Sequence, residues 1–283
     1  MARRLRIDIE GGIHHVMNRG VDRQPIFFAD ADRVEFGRRL AHIHDEYGVE
    51  TLAYCLMGNH YHLLLCTPRG RLSAAMQHLA GVYTRHVNDR LDRDGPLFRG
   101  RFHSITVTTD NYLLAATRYI HRNPLDLTGV SSPASYRWSS YRSYLGLRPT
   151  PAFLSTDLML GLHGDTGAMA SFTERPLEAF ALDRLDAADL VAFADLAIAQ
   201  DDLAHGGDEM NRPWRVRTLL ALVLAATEGR GVHDQLLDLF AFPSDTARRM
   251  AISRARKRER DDASIRRVLE SLLRDLGLQP HAA

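Results

Sequence analysis

The sequence predicts an α+β domain, one largely antiparallel sheet with helices on one face, followed by an α-helical C-terminal region. Three observations predict it. Strand-like and helix-like periodicities alternate in the order β, α, β, β, α, β, α over the first 122 residues. Two of those strands are separated only by Met57-Gly58-Asn59, a hairpin-like break that makes them antiparallel neighbours. Beyond residue 150 the pattern is helical throughout.

Each element has its own signal. Residues 12–20 read as a strand ending at Gly20, and a proline-marked turn leads into Ile26-Phe27-Phe28. Residues 30–47 carry Val34, Phe36, Leu40, Ile43 and Tyr47 at helical spacing and stop at Gly48. Residues 49–56 and 61–66 are strands, and 73–89 is a second helix with Ser73 as candidate N-cap. Residues 97–108 alternate well through Phe102-His103-Ser104-Ile105-Thr106-Val107 and are expected to form a strand despite Gly100. Residues 110–122 form a third helix, capped by Asp110 and stopped by Pro124, which disfavours the α conformation at Asn123. The order is similar to the split βαβ folds, ferredoxin- or RRM-like. Residues 131–150 are expected to lie back on this domain as an extended tail.

The expected organisation is therefore a domain over 1–150, an acidic helical connector over 151–210 and a helical module over 211–283. In the last part a helix over 214–226 and a second over 232–240 precede the turn Ala241-Phe242-Pro243 and a basic helix over 244–258. Helix, short turn, basic helix is the plan of a helix-turn-helix. The basic helix, ending Arg254-Ala255-Arg256-Lys257-Arg258, equally suits a solvated surface.

Composition narrows the class. The chain has 283 residues, 45% hydrophobic and 25% charged, as soluble globular proteins do. No apolar run approaches the roughly 18 residues a membrane span needs, and the basic N-terminus has no apolar stretch behind it, so a cytoplasmic protein without membrane association is expected. Two cysteines, Cys55 and Cys66, make no disulfide framework and no C-x-x-C pair, and both are expected in buried strands. A net charge of +1 conceals +6 over residues 1–150, −10 over 151–210 and +6 over 211–260. Basic blocks of this kind suit a polyanion or a solvated face.

The chemistry is carried by two short motifs. In a strand, His60 and His62 point to one side and Tyr61 to the other. In a helix, Tyr119 and Asn123 share a face. If these faces meet, two imidazoles and a carboxamide oxygen hold a divalent cation with a phenol beside it, a site suited to attack on a phosphodiester. Each residue also has a structural reading: His60 and His62 as ordinary strand histidines, Asn123 as the residue closing a helix before proline, Tyr119 as a core aromatic. Arg99 and Arg101 alternate onto one face between Phe98 and Phe102, giving either phosphate contacts with stacking aromatics or a core pair flanked by solvated arginines. Arg19 is a further phosphate-contact candidate.

Asn59-His60-Tyr61-His62-Leu63-Leu64-Leu65, Gly95-Pro96-Leu97-Phe98-Arg99-Gly100-Arg101-Phe102, Tyr119-Ile120-His121-Arg122-Asn123-Pro124 and Trp138-Ser139-Ser140-Tyr141, with the opening His15-Val16-Met17-Asn18-Arg19-Gly20, resemble the REP-associated tyrosine transposases, a branch of the single-tyrosine HUH transposases. The resemblance covers about the first 145 residues. It implies an HUH domain with His60, His62 and Asn123 as metal ligands, Mg²⁺ or Mn²⁺ as the ion and Tyr119 as nucleophile. The expected substrate is a single-stranded DNA hairpin from repetitive palindromic elements, nicked and rejoined through a 5′-phosphotyrosine. His121 is given no catalytic role. The C-terminal region is similar to the DNA-binding domain of the replication initiator DnaA, with Arg248 and Arg249 as candidate duplex contacts. The resemblance leaves open monomer or homodimer, and a catalytically silent nucleic-acid-binding regulator and a hydrolytic metal nuclease are the alternatives.

Overall fold

The structure, a computed structural model, describes residues 8–174, 187–205, 212–227 and 231–275. The chain divides into two compact units, residues 1–175 and 176–283. The acidic stretch over 151–210 is thus shared between them.

The first unit is built on four antiparallel strands, β1 (Gly12–Arg19), β2 (Glu50–Leu56), β3 (His60–Thr67) and β4 (His103–Val107), in the order β2-β3-β1-β4. Three helices interleave with them: α1 (Asp30–Tyr47), α2 (Leu72–Leu91) and α3 (Asp110–Arg122). Alternation along the strands sorts two faces. Val16, Tyr54, Leu56, Tyr61, Leu63 and Leu65 pack with Phe36, Leu40 and Ile43 of α1 and Met76, Leu79 and Tyr83 of α2. The opposite face carries Met17, Ala53, Cys55 and Leu64, all buried, and α3 packs over β2 and β3 there. The expected fold class stands with one difference: α1 and α2 share a face, and α3 takes the other. Its buried Leu113, Ala116 and Ile120 need an apolar partner, and the second sheet face supplies one.

Local signals explain the joints. Gly48 closes α1 in the left-handed region (φ 66°), the conformation that favours glycine at a helix end. Gly20 ends β1 because a Cβ there would lie 2.1 Å from the Gln24 carbonyl oxygen. Asp32, fully buried, accepts from the backbone amides of Phe28 and Ala29 at 2.7 and 2.8 Å and pairs with Arg90 of α2 at 2.8 Å. Two expected caps differ. Ser73 lies inside α2, where its amide and hydroxyl bond to the Asp8 carboxylate at 3.1 and 2.8 Å, so Asp8 satisfies that helix start. At α3 the cap is Thr109, which accepts from the Tyr112 amide at 3.1 Å, and Asp110 is the first helical residue. The strand expected over 97–108 is shorter: residues 97–102 form a loop tied to the end of β1 by Asn18, whose amide donates to the Gly100 carbonyl at 3.1 Å.

The tail does lie back on the domain. Leu56 donates to the Trp138 carbonyl and Ser140 to the Tyr54 carbonyl, both at 2.9 Å, so the tail covers the β2 edge that would otherwise stand open. Short helices α4 (Tyr141–Tyr144), α5 (Asp157–His163) and α6 (Thr166–Glu174) complete the unit.

The second unit is all-helical: α7 (Ala187–His205), α8 (Arg212–Ala226), α9 (Gly231–Phe240), α10 (Asp245–Asp261) and α11 (Ala263–Asp275). Its core gathers Leu190, Ala194, Ile198, Leu219, Val223, Leu236, Ile265 and Val268. Arg215, nearly buried, bonds Asp201, Asp202 and Ser264 and so ties α7, α8 and α11 together. Burial opposes charge on Asp201, yet hydrogen bonds from Ser264 and Arg267 hold its carboxyl below the usual range. Among the described residues no helix is long and apolar enough to cross a membrane.

His121 sits at the seam between α3 and the tail, fully buried, with Nε2 2.8 Å from the Ser140 hydroxyl. Burial, aided by nearby His163, pushes its pKa down to about 3. An unfolded imidazole takes its proton near pH 6.5, whereas the folded one resists until about pH 3, so stability falls as pH drops through that window. The slope from this group is at most about 1.4 kcal/mol per pH unit. Unfolding followed between pH 7 and 5 is expected to show this loss, and His121→Gln to flatten it. An unchanged slope in the variant would place the acid sensitivity elsewhere.

Candidate active site

The two motifs meet. His60 and His62 project from β3 toward α3, where Tyr119 and Asn123 occupy successive turns of one helix face. His60 Nε2 lies 3.3 Å from Asn123 Oδ1, His62 Nε2 lies 3.5 Å from Asn123 Nδ2, and the same Nδ2 donates to the Tyr119 hydroxyl at 2.6 Å. Asn123 follows the last turn of α3, its amide bonded to the Tyr119 carbonyl. Contrary to expectation its backbone stays α-helical (φ −47°, ψ −37°) before Pro124, and the chain tightens there from α3 into a 3-10 turn over Asn123–Asp126. His62 and Asn123 are buried, while His60 and Tyr119 are partly exposed, so the cluster opens to solvent on the tyrosine side.

Hydrogen bonds outside the cluster orient both rings. The turn after β1 runs through left-handed conformations at Asp22 (φ 48°) and Arg23 (φ 61°), and the Arg23 carbonyl accepts from Asn59 Nδ2 at 3.1 Å. That bond turns Asn59 Oδ1 toward His60 Nδ1, at 2.7 Å. A carbonyl oxygen only accepts, so His60 carries its proton on Nδ1 and presents a lone pair at Nε2. Behind His62, His15 Nε2 lies 3.1 Å from His62 Nδ1. The Asn123 amide donor facing His62 Nε2 fits the same tautomer, with Nδ1–H donating to His15.

The charges fit this picture. Desolvation lowers the His60 pKa to about 4, opposed by the Asn123 carboxamide oxygen, which favours a protonated Nε2, and assisted by Arg19. Desolvation, together with the neighbouring His60 and His15, puts His62 well below its ordinary value. Both rings are neutral near pH 7. The His60 lone pair then faces the Asn123 carboxamide oxygen at 3.3 Å, two acceptors with no proton between them. A cation relieves that opposition. Two imidazole nitrogens and one amide oxygen suit a divalent ion of intermediate hardness, and the bonds to Asn59 and His15 are the outer supports such ligands ordinarily have. Among the described residues no group of three or more His, Cys, Asp or Glu is placed to hold a metal, and the cluster here depends on its carboxamide.

The remaining candidates are scattered. Arg19 is paired in register with His60 on the histidine face and is nearly buried. Arg99 and Arg101 are exposed on the loop beside the end of β1. Phe98 and Phe102 are core residues, and Phe98 meets the rings of Tyr61 and Tyr83, so they offer no faces to unpaired bases. In the second unit Arg248 and Arg249 both pair with Asp245, at 2.7 and 3.0 Å. His15 and Asn59 belong to the motifs that carry the resemblance, but the sequence assigns them no chemical role. Alternation puts His15 on a definite face of β1, but only the register of β1 on β3 shows that His62 is its diagonal neighbour.

Residues 10–123 match the family model described as Transposase IS200 like. Among solved structures, one described as "Structure of the REP associates tyrosine transposase bound to a REP hairpin" is similar at 14% identity with a TM-score of 0.46, covering 56% of this chain and 93% of that chain. No curated protein matches the sequence.

Outer supports of metal ligands typically carry a 10- to 100-fold effect on affinity. If His60, His62 and Asn123 hold a divalent ion, His15→Ala is expected to weaken Mn²⁺ binding by about that range, measured by electron paramagnetic resonance, with His15→Gln recovering part of it through its amide acceptor. Equal affinities in all three proteins would reduce His15 to a packing residue.

Proposed function

We propose that the first unit is a metal-dependent single-strand DNA transposase, an endonuclease that nicks and rejoins DNA with Tyr119 as nucleophile. The observation that carries this reading is the convergence of Tyr119 on His60, His62 and Asn123 within one chain. His60, His62 and Asn123 would hold Mg²⁺ or Mn²⁺. Such an ion, when bound, neutralises and aligns a scissile phosphate.

A phenol, with an ordinary pKa of about 10, is a weak nucleophile at neutral pH. The Asn123 amide aims at the Tyr119 oxygen and stabilises negative charge as it develops there. The bond from the Tyr119 oxygen to phosphorus forms as the bond to the 3′ oxygen breaks. The products are a 5′-phosphotyrosine and a 3′-hydroxyl, and the reverse reaction rejoins strands without an external energy source. Arg99 and Arg101, exposed on the loop beside β1, supply phosphate contacts for the incoming strand, and Arg19 sets the potential around His60. The substrate class is single-stranded DNA bearing hairpins, following the family resemblance.

The test is a denaturing gel of the full chain with labelled hairpin-bearing single strands, with and without Mn²⁺. Cleavage and a covalent adduct are expected together, and Tyr119→Phe should lower both by more than about a thousandfold while DNA binding persists. Cleavage without adduct would mean that water is the nucleophile, and binding without either would mean a silent regulator.

The second unit extends this reading to duplex DNA. α9, the turn over 241–243 and α10 follow one another as a helix-turn-helix does. Arg249, Ser253, Arg256 and Arg260 line one groove along α10, spaced on a single helix face, while Arg248 is more enclosed. Arg249, Arg256 and Arg260 are thus the proposed backbone contacts. Replacing Arg256 and Arg260 together by Glu is expected to weaken duplex binding and to reduce the slope of log affinity against log salt by about 2. An unchanged slope would make α10 a solvated surface.

A further inference from the structure

Tyr119 and Asn123 use one face of α3. The neighbouring face carries a second pair at the same spacing, Arg118 and Arg122, which holds the C-terminal end of α6. Arg118, nearly buried although charged, donates from Nη1 to the carbonyl oxygens of Phe172 and of Thr173, the latter at 2.9 Å. Arg122 Nη1 donates to the Thr173 carbonyl at 2.9 Å and to that of Glu174 at 3.4 Å. These are the last carbonyls of α6, which lack partners within their own helix and form the negative end of its dipole. The attachment has further points. The Arg118 guanidinium lies 5.5 Å from the centre of the Phe172 ring, the Thr117 hydroxyl meets the sulfur of buried Met159 at 3.6 Å, and Tyr141 of α4 donates to the Glu174 carboxylate at 3.0 Å.

We propose that Arg118 is a positioning residue for the nucleophile, using the end of α6 as a brace that fixes how far α3 is rotated about its own axis. The inference rests on the proposed role of Tyr119. Apolar packing under α3 resists its lifting from the sheet but resists rolling much less, because apolar contacts carry no direction. Guanidinium-to-carbonyl bonds are directional. A tyrosine oxygen stands roughly 9 Å from its helix axis, so a roll of about 10° displaces it by about 1.5 Å. A misplacement of about 1 Å is enough to cost on the order of a hundredfold in rate. Arg118 and its partners on α6 therefore act on the reaction without touching it. The brace lies outside residues 10–123, the part matched by the family model.

The test uses the full chain with 3-fluorotyrosine at position 119, read by fluorine NMR, together with single-turnover adduct formation on a hairpin-bearing single strand. The controls are Arg118→Lys, which keeps a cation able to donate, and Arg90→Met, which removes an ion pair to Asp32 between α1 and α2. Arg118→Met is expected to broaden or shift the position-119 resonance and to slow adduct formation 10- to 100-fold, with DNA affinity changed less than threefold. Arg118→Lys should restore part of both signals. Arg90→Met, even with a comparable loss of thermal stability, should leave the resonance in place. An unmoved resonance in folded Arg118→Met, or an equal change in Arg90→Met, would overturn the proposal. If the wild-type chain forms no adduct, the role of Tyr119 fails, while the resonance still decides whether Arg118 fixes its position.

Discussion

The carboxamide of Asn123 is the contact on which the first unit depends. Its oxygen faces one histidine, and its nitrogen lies between the other histidine and the tyrosine hydroxyl, so a single planar group sets three side chains from two elements. For that group to arrive, α3 must end on Asn123, the two histidines must share a strand face, and α3 must cover the side of the sheet away from α1 and α2. Pro124, the β3 alternation and the buried row Leu113, Ala116 and Ile120 each meet one of those conditions. The strength of the arrangement lies in its dryness. Placed in water, the same imidazoles would protonate near neutrality. Buried here, they stay neutral and keep lone pairs directed at one another's neighbour.

Much of this was legible before any coordinates. Period-two and period-3.6 patterns are local properties, and they locate α1 and α3 at 30–47 and 110–122, with β1 within one residue of its end. The same local reasoning pairs His60 with His62 and Tyr119 with Asn123. Anything that depends on register or on distant partners was out of reach. His15 supports His62 only because β1 and β3 align as they do. Asp8 satisfies the start of α2 from 65 residues away, so Ser73 looked like a cap from its sequence position alone. Residues 97–102 alternate well enough for a strand, yet the backbone of that loop is held by Arg19 and Asn18 at the end of β1. Nor does composition tell which aromatic faces a solvent channel, and Phe98 and Phe102 fill the core.

Both units bury charge only with partners. In the first, Asp32 meets two backbone amides and Arg90, and Arg118 meets the last carbonyls of α6, while the site's working groups are neutral rings and an amide. In the second, one arginine is drawn inside and matched with two carboxylates and a hydroxyl, joining three helices that share a modest core. Arg248, Arg249, Arg254, Arg256, Arg258 and Arg260 run along α10, and other arginines of that unit stand on α8 and α11. Within the −10 block Asp201 and Asp202 are paired internally, whereas arginines of the last +6 block lie exposed along α10, a distinction that net charge cannot make.

The strand that carries the histidines also carries a second tyrosine. Tyr61 stands between His60 and His62 in the chain, but alternation sends it to the opposite face, where it is fully buried against Phe36 and Phe98. Among the described residues Tyr119 is thereby the phenol that this cluster holds. On the proposed chemistry each chain can hold one DNA end at a time. Exchange of two ends then becomes a question of stoichiometry: either two chains act together on four strand termini, or one chain must discharge its first end before it can capture the next.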